Sequence, residues 1–143
     1  MSHVMIVEDD QDLGDFLAVG LRAFKHHVRR FPSTALALQD LTRRRYDLAV
    51  VDMSFQGDPR VAGSDGFTFL REVRIAEPGS ALWSAHRMPI VVVTPAERPH
   101  CERRSTVKRV ARSFGADVSL TRSQSIEGLL GAVQTMLLEG AYS

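Results

Sequence analysis

Short apolar runs and longer amphipathic stretches alternate along this chain. Val4-Met5-Ile6-Val7 is an apolar run closed by acids, and Leu48-Ala49-Val50-Val51 is a second, closed by Asp52. Pro89 opens a third, Ile90-Val91-Val92-Val93, which Thr94 closes. Unbroken apolar runs of this length read as strands covered on both faces. His27 to Phe31 is a weaker strand that suits a sheet edge, and Val118-Ser119-Leu120 is a short one. Helical spacing fills the intervals. Asp10 is placed to cap a first helix, in which Leu13, Phe16, Leu17, Leu21 and Phe24 form one apolar face. After Pro32-Ser33, the stretch from Thr34 to Arg43 reads as a helix using Ala35, Leu38 and Leu41. Phe67, Leu70 and Val73 suggest a short third helix. Val107, Val110, Ala111 and Phe114 predict a fourth, stopped by Gly115. Ile126, Leu129, Leu130, Val133 and Leu137 predict the last.

Five strands, each followed by a helix, define an α/β protein with a doubly wound, five-stranded parallel sheet and helices on both faces. The 143 residues suit one domain, 1–143, with no room for an output domain after the final helix. Composition changes this picture little. Apolar residues at 44% and charged residues at 24% exclude a disordered or low-complexity chain. A formal net charge of +1 argues against a global field for nucleic acid. The single cysteine, Cys101, excludes an internal disulfide and any multi-cysteine metal site. No apolar run is long enough to span a bilayer. The acidic start, Glu8 to Asp12, does not fit a signal peptide, so a cytoplasmic protein is expected.

Sheets of this kind place their chemistry beyond the carboxyl ends of the strands. The first strand ends in Glu8-Asp9, the third in Asp52 and the fourth in Thr94, while Arg122 follows the fifth. Carboxylates on neighbouring strand ends repel unless a cation sits between them. An all-oxygen set favours a hard ion such as Mg²⁺. A hydroxyl and a guanidinium alongside would suit phosphoryl oxygens.

Five stretches carry a resemblance to two-component response regulator receiver domains, the CheY-like family with a flavodoxin-like fold. They are Val4 to Asp10, Tyr46 to Asp52, Asp65-Gly66-Phe67, Pro89 to Thr94, and Phe114-Gly115-Ala116-Asp117. Together they span nearly the whole chain. The resemblance implies that Asp52 accepts a phosphoryl group from a histidine kinase or phosphotransfer protein. It implies that Mg²⁺ is held by Glu8, Asp9, Asp52 and the backbone carbonyl of Ser54. It also assigns Thr94 and Arg122 to the phosphoryl oxygens, with output through binding another protein and a homodimer as a candidate state.

Several positions depart from the family pattern. Arg122 stands where the family has lysine, and Ser123 where it has a proline, usually cis. Pro95 replaces the small residue after the switch threonine, and Ser119 replaces the switch aromatic. The connections from Ser54 to Asp65, around Trp83, and from Pro95 to Ser105 are extended. Trp83 is expected to anchor its loop on the core.

Two alternatives stand beside the phosphoacceptor reading. One is a pseudo-receiver that binds partners without phosphorylation, which the departures favour and the intact acids oppose. The other is a Mg²⁺-dependent phosphatase with Asp52 as nucleophile, weakened because Met53 and Ser54 supply no second acid. A basic stretch, with Arg103, Arg104, Lys108, Arg109 and Arg112, is either a solvated face or a dock for an acidic protein or, less in keeping with the net charge, nucleic acid.

Overall fold

The computed structural model describes residues 1–8, 11–52, 66–94, 115–121 and 126–140. Five strands form one sheet: β1 (His3–Val7), β2 (His27–Phe31), β3 (Leu48–Asp52), β4 (Ile90–Thr94) and β5 (Val118–Thr121). Their order is β2-β1-β3-β4-β5, and every neighbouring pair is parallel. The helices are α1 (Gln11–Ala23), α2 (Thr34–Leu41), α3 (Gly66–Arg74) and α4 (Ile126–Gly140). The predicted helix from Val107 to Phe114 and the Asp10 cap lie outside the described residues.

Alternate residues of the apolar strands feed two cores. Val4, Ile6, Val50, Val91 and Val93 pack with Leu13, Leu17 and Leu21 of α1 and Leu129, Val133 and Leu137 of α4. Met5, Val7, Ala49, Val51, Ile90 and Val92 pack on the other face with Ala37 and Leu41 of α2 and Phe69, Leu70 and Val73 of α3. Both faces of the central strands are therefore removed from water, which explains their lack of polar alternation. β2 alternates instead, because it lies at the sheet edge that its weaker apolar pattern suits.

Three expectations need correction. Ala35 does not join the core face of α2; it is exposed, and the helix buries Thr34, Ala37 and Leu41, one turn apart on the other side. Phe16 and Phe24 do not join the apolar face of α1; they are 57% and 55% exposed. The buried arc centres between Leu17 and Leu21, and at 3.6 residues per turn Phe16 projects roughly 120° away from it. Phe24 lies beyond the helix end, where Lys25 takes a positive φ of 70° and turns the chain into β2. Trp83 does not anchor its loop on the core either. It starts a short 3-10 turn and is 38% exposed, stacked on His86 with ring centroids 3.7 Å apart. Its neighbours Leu82, Ala85 and Met88 supply the anchor.

Candidate functional site

Glu8 directly follows β1, and Asp52 is the last residue of β3. Val7 pairs with Val51, so the two acids sit one residue further along adjacent strands, with backbones roughly 5 Å apart. Side chains alternate along a strand, so both carboxylates project to the face covered by α1 and α4. Asp52 is opposite Val93 on its other side, which brings Thr94 to the same end of the sheet. Thr94 is in turn paired with Thr121 of β5. The three central strands thus bring Glu8, Asp52 and the backbone of Thr94 to one rim. The side chain of Thr94, and the whole of Asp9, Ser54, Arg122 and Ser123, lie outside the described residues, as does Pro95.

Both described acids are buried, Glu8 at 5% and Asp52 at 2% exposure. Ionised carboxylates in such surroundings require a compensating charge. One is on the page. Arg30 of β2 donates from a terminal nitrogen to Glu8 Oε1 at 2.7 Å, and its other terminal nitrogen bonds Asp15 of α1. The Glu8 carboxylate, followed by Asp15, holds the Arg30 guanidinium in its protonated form more firmly than usual, against the opposing effect of burial. Gly14 makes room for this contact. A Cβ built there would lie 1.9 Å from Glu8 Oε1 and 2.3 Å from an Arg30 nitrogen, so no larger residue fits without displacing the pair. The Glu8 N–H donates to the Phe31 carbonyl at 3.1 Å, extending the β1–β2 ladder and fixing the acid's backbone.

Arg30, Asp15 and Gly14 were not singled out by the sequence pattern. Arg29 and Arg30 are alike as letters, and only the pairing of Arg30 with Ile6 puts it on the Glu8 face. Two buried carboxylates stand at this rim, and Arg30 pairs with one of them. Their hard oxygens fit a divalent ion such as Mg²⁺, which takes few carboxylates and keeps several waters. Among the described residues no cluster of three potential ligands forms.

Ser119 pairs with Val92, two residues before the level of Thr94. Its hydroxyl is buried and makes no hydrogen bond among the described residues. The position expected to lack the family's aromatic is therefore an interior one.

A parallel, doubly wound sheet with carboxylates at the ends of its first and third strands is an open α/β architecture, in which ligands bind beyond the carboxyl ends of the strands. The comparisons narrow this to one fold. No protein-family model matches the chain. The transcriptional regulatory protein RprY of Bacteroides fragilis is 27% identical over 138 residues, which cover 94% of this chain and 49% of that protein. The chain thus spans about half the length of that curated relative. The receiver domain of the Francisella response regulator 1452 superimposes with a TM-score of 0.72 at 19% identity, covering 97% of this chain and 98% of that one. A CheY-like response regulator receiver domain protein from Methanospirillum hungatei gives a TM-score of 0.72 at 19% identity, covering 99% and 98%. The fold is the CheY-like receiver fold, and the resemblance to response regulator receiver domains extends over nearly the whole chain.

Proposed function

We propose that this chain is the receiver of a two-component system, with Asp52 accepting a phosphoryl group from a histidine kinase or phosphotransfer protein. The observation that carries this reading is the buried Asp52 carboxylate at the end of β3, beside the buried Glu8 at the end of β1. A carboxylate oxygen of Asp52 attacks the donor's phosphorus, the P–N bond to the donor imidazole breaks, and the nitrogen keeps the electron pair. Mg²⁺, held by Glu8, Asp9, Asp52 and the Ser54 carbonyl, would supply charge neutralisation as the anionic groups approach. The burial of Asp52, at 2% exposure, limits the access of water to the resulting acyl phosphate. The Thr94 hydroxyl and the Arg122 guanidinium are assigned to the transferred oxygens. Output runs through contact with another protein, and the basic stretch at Arg103, Arg104, Lys108, Arg109 and Arg112 suits an acidic one.

One observation favours a phosphorylation-independent binding module instead: the interior Ser119, which gives Thr94 no aromatic partner to move. A single experiment separates the two readings. The protein is incubated with acetyl phosphate and Mg²⁺ and its intact mass measured. The phosphoacceptor reading expects one phosphoryl adduct, lost on chelation of the metal and absent from Asp52→Asn. A wild-type protein without any adduct favours the binding module.

A further inference from the structure

A cavity of about 610 Å³ opens at the end of the sheet opposite Glu8 and Asp52. It forms where β1 and β2 begin. His3 and His27, the first residues of these strands, are paired in register and both line it. Their rings stack with centroids 4.8 Å apart and planes 14° from parallel. At roughly 3.3 Å per residue, His3 lies about 16 Å from Glu8 along β1, so this is a separate place on the molecule.

Arginines converge on the cavity from three segments: Arg22 from the last turn of α1, Arg29 from β2, and Arg44 and Arg45 from the connection before β3. No carboxylate of the described residues lines it. In a chain of net charge +1 this is a local concentration of positive charge. Two of the four are anchored. Arg22 donates to the Val28 carbonyl at 3.2 Å, and Arg44 approaches Asp40 at 3.5 Å. Arg29 and Arg45 form no ion pair among the described residues. The wall between them is fixed: Tyr46 bonds Asp40 through its hydroxyl. His26 is fixed too, accepting from the Ser2 N–H at 3.2 Å through Nδ1, and its Nε2 lies 2.7 Å from Gln134 Oε1. With Nδ1 accepting, Nε2 is the nitrogen that donates to Gln134 Oε1.

Guanidiniums crowded around one concavity repel, and an anion reverses that cost. Their planar forks match phosphate oxygens in pairs. The stacked imidazoles and the Tyr46 ring offer apolar faces to a flat ring. The volume is that of a small-ligand site, and the charge is gathered in a hollow, not spread in the stripe that tracks a nucleic-acid backbone. We propose that this cavity binds a small molecule bearing two or more phosphate groups, with a nucleoside polyphosphate its fullest match.

Isothermal titration of the whole chain at low salt, with EDTA present, tests this using ATP, inorganic tripolyphosphate and adenosine. ATP and tripolyphosphate are expected to bind and adenosine alone to give no heat. Affinity should fall about tenfold or more in Arg29→Ala/Arg45→Ala and stay unchanged in Asp52→Asn. ATP binding more tightly than tripolyphosphate supports the site and identifies the nucleoside as part of the ligand. Equal affinities support it with the phosphate chain alone recognised. Both substituted side chains are exposed, so the double variant should keep its far-UV circular dichroism; Arg45→Glu alone provides a second, milder test with the same expected direction. No binding at millimolar ligand, affinities unchanged in these variants, or a single-stranded oligonucleotide bound more tightly than ATP would overturn the proposal.

Discussion

Glu8 carries its charge into a nearly dry position, and Arg30 reaches it there from the neighbouring strand. The pair is asymmetric, with Glu8 at 5% and Arg30 at 28% exposure, so solvent screens one side of it. Replacing Arg30 by Met leaves the carboxylate without its guanidinium. The metal-free protein should lose about 1–2 kcal/mol, less than for a fully buried pair. The same change removes a competitor for Glu8, so Mg²⁺ should bind several-fold more tightly in a calorimetric titration. Weaker Mg²⁺ binding in Arg30→Met would mean that the guanidinium orients Glu8 for the ion instead of competing with it. A second residue-scale consequence concerns Tyr46. Burial, and then its bond to Asp40, raise the Tyr46 hydroxyl well above the usual phenol range. The folded state therefore keeps this proton where the unfolded chain releases it. Stability is fully present below about pH 10 and declines as pH rises from there through the folded-state value. Tyr46→Phe should be less stable at neutral pH and lose that part of the alkaline decline; parallel denaturation curves from pH 8 to 11 read the difference. A slope identical to wild type would remove Tyr46 from the alkaline transition. At this scale the acids were legible in the sequence, because an apolar strand ending in a carboxylate is an uncommon local pattern. Arg30 was not, because its role depends on strand register and on the missing side chain of Gly14.

The elements were legible where burial decides their pattern. β1, β3 and β4 are covered on both faces, and their apolar runs announce it. The face of α1 was misjudged because two phenylalanines were counted with the leucines. A helix buries an arc, and the arc is set by what it packs against, here β1 and α4. Connections hide more. Arg74, at the end of α3, donates to the Gly115 carbonyl, the His86 carbonyl and Asp117, each at 2.9 Å. Asp117 also accepts from the Ile90 N–H at 2.8 Å. Gly115, with φ of 98°, passes so close that a Cβ would lie 2.7 Å from the Arg74 side chain. One guanidinium thus ties α3 to the starts of β4 and β5, although burial makes its proton easier to lose than usual, with Asp117 opposing that. Charge-assisted bonds of this kind contribute about 1.5–3 kcal/mol each before the unmade partners are counted. Arg74→Met should lower unfolding stability by about 2–3 kcal/mol in urea titrations, while the Asp52 rim at the far end of the sheet keeps its chemistry. A loss below about 0.5 kcal/mol would show that the clamp is ornamental.

At the scale of the whole molecule, the sheet separates two kinds of site. Carboxylates collect past the ends of β1 and β3, and arginines collect where β1 and β2 begin. The strand order could not be read from periodicity; it came with the family resemblance, and the observed order β2-β1-β3-β4-β5 agrees with it. That order is what sets Asp52 between Glu8 and Thr94. The basic cavity was not legible at all, since His3, Arg22, Arg29 and Arg45 are scattered in sequence and meet only through the fold. No helix among the described residues is long and apolar enough to cross a membrane. On the proposed function, Asp52, buried at the end of β3, becomes an acyl phosphate. Borohydride reduces an acyl phosphate to the corresponding alcohol, which turns a phosphorylated aspartate into homoserine. The protein is treated with acetyl phosphate and Mg²⁺, reduced, digested and mapped by tandem mass spectrometry. Homoserine at position 52 and nowhere else is the predicted result; homoserine at Asp9, Asp12 or Asp15, or none at any aspartate, would contradict the account.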